Sequence, residues 1–223
     1  MSEEVWVALS ATLRKKLESI LASGSLLSDE KAVKRFSRDQ SIYQIEPACV
    51  ILPSSLEELS GVLGPLRDSK MKLTPRGGGS STAGGCLGRD GVISLAKRDF
   101  LSSIGELQFI QSSQGSQAHL RVGAGVVHAR LQSFLKEKGY HLPADPSSAK
   151  LCCIGGNVAT KASGPHAFRH GSIARYVKDL SFLTPRGELV DTSRPSSIPS
   201  YISKGLDDLR RAIRADPLAH QRL

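Results

Sequence analysis

A run of three consecutive glycines, residues 77–79, sets the strongest structural limit in this sequence. The run comes after a predicted strand, residues 72–75, and is flanked by Arg76 on one side and by Ser80 and Ser81 on the other. Because glycine has no Cβ, main-chain N–H groups can converge on an anion here, with the arginine and the hydroxyls as further donors. An ordinary flexible Gly/Ser loop is the alternative. The spacing matches neither a Walker A motif nor a GxGxxG fingerprint.

Two later segments are also rich in glycine. The second segment, residues 142–159, has a turn stiffened by two prolines, and its Gly155-Gly156 pair permits close approach to a flat or charged group. The alternative there is a rigid turn before a helix, with the glycine pair serving only packing. The third segment, residues 162–172, contains a predicted glycine hairpin and His170, which is more typical of a structural role than of a catalytic one. All three segments are predicted beside strands, and we expect them to lie together.

Hydrophobic periodicity predicts both helices and strands, so the fold class is α+β or α/β. Residues 54–58 (Ser-Ser-Leu-Glu-Glu) offer two capping-box registers for a helix that Gly64-Pro65 is expected to kink or divide. Gly139 is placed to end another helix in the left-handed conformation. Residues 28–44 are polar and show no period. The predicted helices are residues 5–21, 56–66, 126–138 and 200–223; the predicted strands are residues 48–53, 72–75, 91–95, 107–113 and 119–122 (around a turn with Gly115), 177–184 and 188–191.

Composition excludes several classes of protein. The formal net charge is +9, but the basic residues are scattered without interleaved aromatics, which favours a solvated basic surface over nucleic-acid binding. The cysteines have no CxxC spacing, so we predict no metal site and no disulfide, in a reducing compartment. No apolar run approaches the ~18–20 residues of a membrane span, and the acidic N-terminus does not resemble a signal sequence. We therefore expect a soluble, cytoplasmic protein.

Six motifs in a particular order carry a family resemblance. They are residues 53–59 (PSSLEEL), 76–81 (RGGGSS), 123–126 (GAGV), 142–148 (LPADPSS), 154–164 (IGGNVATKASG) and 184–190 (TPRGELV). Together, over about residues 30–192, they resemble the FAD-binding domain of the vanillyl-alcohol-oxidase (PCMH-type) family. Within that family they are most similar to the group that contains FAD-linked D-lactate dehydrogenase and the flavin-binding component of glycolate oxidase.

The resemblance implies an α+β fold of two subdomains, a small α/β one and a larger mixed or antiparallel sheet flanked by helices. Residues 1–45 are then expected to be an N-terminal helical segment and residues 46–192 the PCMH-type FAD-binding domain. Residues 193–223 are expected to form a tail or helix leading toward a substrate domain that lies outside these residues. Proteins of this family are typically at least twice as long, so we expect a fragment.

The resemblance also implies FAD as the cofactor. The glycine loop is expected to wrap its diphosphate, and the later segments to follow the ribityl chain and the isoalloxazine ring. Many relatives attach FAD through a histidine in this loop, but residues 77–85 contain none, so noncovalent binding is expected. Cys153 stands where threonine or serine is usual, and Lys161 where asparagine is common. The predicted cofactor-binding residues are Arg76, Gly77, Gly78, Gly79, Ser80, Ser81, Pro143, Asp145, Ser148, Cys153, Gly155, Gly156, Asn157, Ala162, Ser163, Gly164, Gly171 and Val190.

The activity implied by the resemblance is oxidation of a D-2-hydroxy acid such as D-lactate or glycolate, with a hydride passing from the substrate α-carbon to flavin N5. The base is expected to lie outside this chain, and we predict no catalytic residue and no metal ligand within it. The positive charge is compatible with peripheral contact with the inner membrane or with a partner subunit. The alternative is a non-catalytic nucleotide-binding fragment or subunit that lacks a substrate domain.

Overall fold

A four-stranded sheet organises the first part of the chain. The computed structural model describes residues 9–96, 98–112 and 115–215. The strands of this sheet are β1 (Leu26–Leu27), β2 (Cys49–Ile51), β3 (Leu73–Arg76) and β4 (Gly91–Ser94), in the order β1-β2-β4-β3. Strands β2 and β3 each run parallel to β4, and β1 runs antiparallel to β2. The strands predicted at residues 48–53, 72–75 and 91–95 are confirmed, whereas β1 is too short for any pattern to indicate.

Helices cover both faces of this sheet. They are α1 (Ala11–Glu18), α2 (Glu30–Lys34) and α3 (Leu56–Asp68). Cys49 and Ile51 join a core with buried residues of α1 and α3, while Val50 packs with Val33 of α2. This alternation follows from the two-residue period of a strand. The sequence did not indicate α2, because its single buried residue, Val33, gives no measurable period.

Local hydrogen bonds explain where α3 begins. Ser55 is its N-cap and accepts a bond from the N–H of Glu58 (3.2 Å), while the Glu58 carboxylate accepts one from the N–H of Ser54 (2.7 Å). Of the two predicted registers, the one at Ser55 is therefore the one used. The predicted division at Pro65 is wrong, since α3 continues to Asp68. A proline removes one N–H donor, and the packing of Val62 and Leu66 keeps the helix whole.

After the four-stranded sheet, the chain forms a two-stranded antiparallel ribbon and then three helices. These elements are β5 (Gln108–Ser112), β6 (Gly115–His119), α4 (His128–Glu137), α5 (Ile154–Ala159) and α6 (Ala167–His170). The prediction of Gly115 in the turn is wrong, because Gly115 pairs with Ser112 inside the ribbon; residues 113–114 lie outside the described residues. Gly139 follows α4 with φ +77°, as predicted. The predicted glycine hairpin after α5 is also wrong: residues 160–166 link α5 to α6. The second segment contains α5 and the third contains α6, so both lie at helices and not beside strands as predicted.

The chain divides into two compact units, which meet in sequence between Val177 and Lys178. The second contains the antiparallel ribbon β7 (Ser181–Leu183) and β8 (Leu189–Asp191), then α7 (Ser200–Ala215). This confirms the predicted hairpin, although its strands are shorter than expected. The described residues carry two separate two-stranded ribbons in place of the expected larger sheet. Residues 5–8 and 216–223 of the predicted terminal helices lie outside the described residues.

Candidate cofactor site

The glycine loop, residues 77–85, follows the end of β3 and begins with a row of main-chain N–H donors. Within the described residues, the N–H groups of Gly77, Gly78, Gly79 and Ser80 donate no hydrogen bond. Buried main-chain N–H groups are nearly always paired, and Gly79 is itself buried, with φ +71°. Gly78 is exposed, and Gly77 and Ser80 are half-buried. Successive unpaired main-chain N–H donors are the type of group that binds an anion.

The glycine loop packs directly on the second segment. A Cβ added to Gly78 overlaps the carbonyl oxygen of Leu151, and one added to Gly77 lies 3.4 Å from the Cβ of Cys153. Glycine is therefore required at position 78 by contact between two main chains. This contact confirms the prediction that these two segments lie together.

The third segment packs on the second. A Cβ at Gly164 overlaps the carbonyl of Asp145, and the Asp145 carboxylate accepts a hydrogen bond from His166. That bond from His166 holds the pKa of Asp145 below its ordinary value, against the opposing effect of burial. The second carboxylate oxygen, Oδ1, is buried and without a partner in the described residues. All three segments are thus joined through main-chain contacts.

The glycine pair of the second segment serves two different needs. A Cβ at Gly155 lies 2.7 Å from the Cβ of Ala124, so this glycine permits helix packing, as the alternative interpretation held. A Cβ at Gly156 meets nothing within 4 Å, and its N–H has no acceptor in the described residues. Of the pair, Gly156 is the one that faces open space.

Arg76 lies beneath the glycine loop and is 9% exposed. Its guanidinium donates to the carbonyls of Arg38 (2.8 Å) and Phe36 (3.4 Å), and a Cβ at Gly79 overlaps it. Burial acts to raise the pKa of Asp39, but hydrogen bonds from Ser41 and the nearby Arg76 charge bring that pKa below its ordinary value. Arg76 therefore supports the loop by joining it to residues 36–39.

The serines predicted as hydroxyl donors differ in their hydrogen bonds. Ser81 Oγ accepts bonds from the N–H groups of Gly85 (3.0 Å) and Ala83 (3.3 Å), and the Ser81 carbonyl accepts one from Gln40 (3.0 Å). Ser80 is half-buried beside it. In the second segment, the Ser148 carbonyl accepts bonds from two following N–H groups. Pro143 and Ser148 are both half-buried in this turn.

Two predicted residues are buried in the protein interior. Asn157, 3% exposed, hydrogen-bonds through Nδ2 to Nδ1 of the fully buried His128 (3.2 Å), which joins α5 to α4. Burial lowers the pKa of His128, although the Asp145 charge opposes this effect. Cys153 is 2% exposed at the N-cap position of α5. Sequence reasoning missed His128; the signal was a polar residue on the otherwise apolar face of α4, beside Leu131 and Leu135.

Residues of the third segment and their neighbours in the chain line an open depression of about 630 Å³. Ala162 is held by its main chain, since its N–H donates to the carbonyl of Asn157 and its own carbonyl accepts a bond from the N–H of Ile173 (both 2.8 Å). Val190, the last predicted residue, lies in β8 of the second unit and is fully buried. The lining residues are Lys161, Ser163, Ala167, Gly171, Ser172, Ala174 and Arg175.

Two further observations concern the described part of the chain only. Its helices include none with the length and apolar character needed to cross a bilayer. Its His, Cys, Asp and Glu side chains do not form a group of three or more that is arranged to hold a metal ion. All four cysteines lie in this part of the chain and are buried. Burial raises the pKa of the Cys49 thiol to about 11.

Comparison with curated proteins gives consistent relatives. D-2-hydroxyglutarate dehydrogenase of Stutzerimonas stutzeri (strain A1501) is 25% identical over 180 residues, which are 80% of this chain and 37% of that protein. D-lactate dehydrogenase of Anaerostipes hadrus is 27% identical over 194 residues, covering 85% of this chain and 38% of that protein. The chain therefore spans less than two fifths of either relative.

Solved structures share the fold. An alkyldihydroxyacetonephosphate synthase superposes with a TM-score of 0.66 at 19% identity, covering 86% of this chain and 36% of that one. A p-cresol methylhydroxylase superposes with a TM-score of 0.61 at 11% identity, covering 85% and 36%. At these identities the likeness shows the fold alone, which is the predicted PCMH-type α+β fold. A model of the FAD binding domain family matches residues 47–193, more than half of the sequence, and the chain therefore belongs to that family.

Proposed function

We propose that this chain is the cofactor-binding part of an FAD-dependent dehydrogenase that oxidises a D-2-hydroxy acid. The observation that carries the proposal is the row of unpaired N–H donors on Gly77, Gly78, Gly79 and Ser80. Family membership supports FAD as the ligand. The substrate class is supported by the names of relatives that act on D-2-hydroxyglutarate and D-lactate.

The residues present fit FAD at two points. The four N–H donors of the glycine loop suit the oxygens of a diphosphate, since such donors favour negative charge. The buried Oδ1 of Asp145 accepts no bond in the described residues, which suits a ribityl hydroxyl as donor. When bound, the flavin ring supplies a two-electron acceptor. The chain's own residues bind and orient the cofactor, and they hold it without a covalent bond from the glycine loop.

The first experiment compares two glycines. Gly78→Ala introduces a methyl group that overlaps Leu151, whereas Gly64→Ala in α3 meets nothing within 4 Å. We expect purified wild-type protein and Gly64→Ala to bind FAD at one site, seen as quenched flavin fluorescence. We expect Gly78→Ala to weaken binding at least about tenfold. Wild-type protein that binds no FAD under any refolding condition contradicts the proposal, as does equal affinity in both variants.

A second experiment separates the dehydrogenase from a non-catalytic nucleotide-binding subunit. FAD-loaded protein is mixed anaerobically with D-lactate, L-lactate, glycolate or D-2-hydroxyglutarate, and flavin bleaching is followed, with dithionite as the positive control. Bleaching by a D-2-hydroxy acid and not by L-lactate supports the dehydrogenase. No bleaching by any hydroxy acid is expected under both interpretations of this chain, because the base and the substrate domain are expected to lie outside it, so it is bleaching by a D-2-hydroxy acid that rules out the non-catalytic alternative.

We also propose that the protein is cytoplasmic and that it makes peripheral contact with the inner membrane or with a partner subunit. The charge of +9 supports contact with an anionic surface. Sedimentation with vesicles of phosphatidylglycerol, compared with vesicles of phosphatidylcholine, tests the membrane contact. Equal sedimentation with the two lipids contradicts it.

A further inference from the structure

The helix α7 of the second unit leaves apolar side chains uncovered along one side. Apolar residues recur along it at a spacing of four, three and four residues, which gives the a and d positions of a heptad pattern: Ile202, Leu206, Leu209 and Ile213. We call these four positions the α7 seam. Leu206 and Leu209, at its centre, are 47% and 55% exposed. Single exposed apolar side chains are ordinary, but a continuous apolar stripe on a helix indicates a partner surface.

Charged residues of α7 lie off the seam and pair within the helix. Arg210 Nη1 donates to Asp207 Oδ1 (3.2 Å), and the guanidinium of Arg211 pairs with the carboxylate of Asp208. Both pairs join residues three apart, which are neighbours on a helix surface. These two arginines are therefore compensated without a partner, whereas the leucines of the seam remain uncovered. This favours an apolar partner over an anionic surface.

The start of α7 is fixed to the ribbon of the same unit. The Tyr201 hydroxyl donates to the carboxylate of Glu188 (2.5 Å), the residue before β8. The guanidinium of Arg186 lies 4.3 Å from the centre of the Tyr201 ring, a cation–π contact. The helix is thereby held at its first turn, so the exposed leucines belong to a fixed surface of the folded unit and not to a loose tail.

The seam is complementary to itself when two helices run in opposite directions. About a two-fold axis between Leu206 and Leu209, Leu206 of one copy faces Leu209 of the other. The same axis places Ile202 opposite Ile213, so every layer of the pair joins two apolar residues. Opposite directions also bring the positive end of each helix dipole to the negative end of the other.

The residues that flank the seam bring no like charges together in this arrangement. On one side Arg210 lies opposite Ser203, and on the other Gly205 lies opposite Ala212. Gly205 and Ala212 are exposed, and a Cβ added to Gly205 meets nothing within 4 Å, so the space beside the seam is open to a second helix. A parallel pair would instead set the arginine-rich second halves of the two helices side by side.

We propose that α7 is the interface through which two copies of this chain associate, as an antiparallel helix pair. Removal of four apolar layers from water supplies the free energy. A helix of 16 residues gives a smaller interface than that of stable complexes, which bury about 1,200–2,000 Å², so we expect reversible association with a Kd of about 10–100 µM. The proposal is independent of the proposed function, because α7 lies outside the candidate cofactor site.

The test is sedimentation equilibrium of the full chain without FAD, in about 0.3 M salt so that repulsion from net charge is screened. Leu209→Gln in the seam is paired with Leu189→Gln in β8, where the leucine is 54% exposed and lies outside α7. We expect wild-type protein and Leu189→Gln to shift from monomer to dimer between about 5 and 500 µM, and the Kd of Leu209→Gln to rise at least about tenfold.

A second variant separates the interface from the fold. Gly205→Lys replaces a poor helix former by a better one at a position with open space, so α7 is expected to be retained. In the pair, the new side chain would lie against Ala212 of the second copy, and we expect at least about tenfold weaker association. Circular dichroism checks that the helix content is kept.

The proposal is overturned by a wild-type protein that stays monomeric throughout this range, by an equal loss in Leu209→Gln and Leu189→Gln, or by unchanged association in Gly205→Lys. In a monomeric protein, sedimentation with phosphatidylglycerol vesicles that is lost only in Leu209→Gln would assign the seam to a lipid surface instead. The direction of the pair is tested with a mixture of Gly205→Cys and Ala212→Cys, which is expected to form an interchain disulfide faster than either variant alone. Equal rates would contradict the antiparallel arrangement.

Discussion

At the scale of single residues, Arg76 differs most from its expected role. The sequence suggested a charge facing a diphosphate, but the guanidinium donates to the carbonyls of Phe36 and Arg38 beneath the glycine loop. Cys86 lies on the same guanidinium, with its Sγ 3.7 Å from Nη1. The guanidinium of Arg76 therefore joins the glycine loop to residues 36 and 38, which precede β2.

This role predicts the effect of Arg76→Met. We expect the free energy of unfolding to fall by about 1–3 kcal/mol, because two carbonyls lose their donor. FAD affinity is expected to fall about tenfold through displacement of the loop. Urea unfolding and FAD titration measure the two effects, with Arg67→Met, an exposed partner of Asp68, as the control. Weaker FAD binding at unchanged stability would instead indicate direct contact of Arg76 with the cofactor.

The positive φ of Lys161 (+52°) predicts that its substitution can stabilise the protein. We expect Lys161→Asn to raise the free energy of unfolding by about 0.5–1 kcal/mol, since asparagine tolerates the left-handed conformation better. Lys70→Asn is expected to give a similar gain, because its φ of +59° presents the same strain. Urea unfolding of both variants measures this. A loss of stability in Lys161→Asn would show that the lysine makes a contact that outweighs the strain.

At the scale of elements, the bond between Asn157 and His128 joins α5 to α4 behind the candidate site. His128 is fully buried, and burial lowers its pKa. A histidine whose folded pKa lies below its unfolded value of about 6.5 binds fewer protons in the folded state. Stability is therefore complete above the unfolded pKa and is lost as the pH falls toward the folded pKa.

The corresponding measurement is urea unfolding at about pH 7.5 and about pH 5.5. We expect the wild-type protein to be less stable at the lower pH, and His128→Gln to show a weaker dependence. The lowered pKa of Asp145 acts in a more acidic range and does not account for a loss between these values. If His128→Gln does not fold, NMR titration of the His128 ring in the wild-type protein measures the folded-state pKa directly. A wild-type protein equally stable at both pH values would contradict the prediction.

At the scale of the whole molecule, the candidate site residues other than Val190 lie in the first unit. FAD at about 100 times its Kd is expected to stabilise the protein by about 2.7 kcal/mol. Hydrogen exchange with and without FAD locates the effect: we expect protection of the N–H groups of residues 77–80 and none in α7. Protection of residues 189–191 would support the predicted contact at Val190. Protection in α7 with an unchanged glycine loop would contradict the assignment.

Much of this architecture was predictable because it depends on neighbours along the chain. The apolar run at residues 48–53 indicated β2, the serines before Leu56 indicated the start of α3, and Gly139 indicated the end of α4. Strand limits near Gly115 and the course of the chain between α5 and α6 were predicted wrongly. There, cross-strand pairing and helix packing override weak local preferences.

The sequence by itself determined where glycine frees the backbone and where apolar runs form strands, since both depend on a residue and its immediate neighbours. Only the tertiary structure decided what each glycine meets: Leu151 at Gly78, Ala124 at Gly155 and Asp145 at Gly164. It likewise turned Arg76 toward residue 38 and paired His128 with Asn157, 29 residues apart. These contacts join residues distant in sequence, and their energies depend on main-chain packing that no local pattern records.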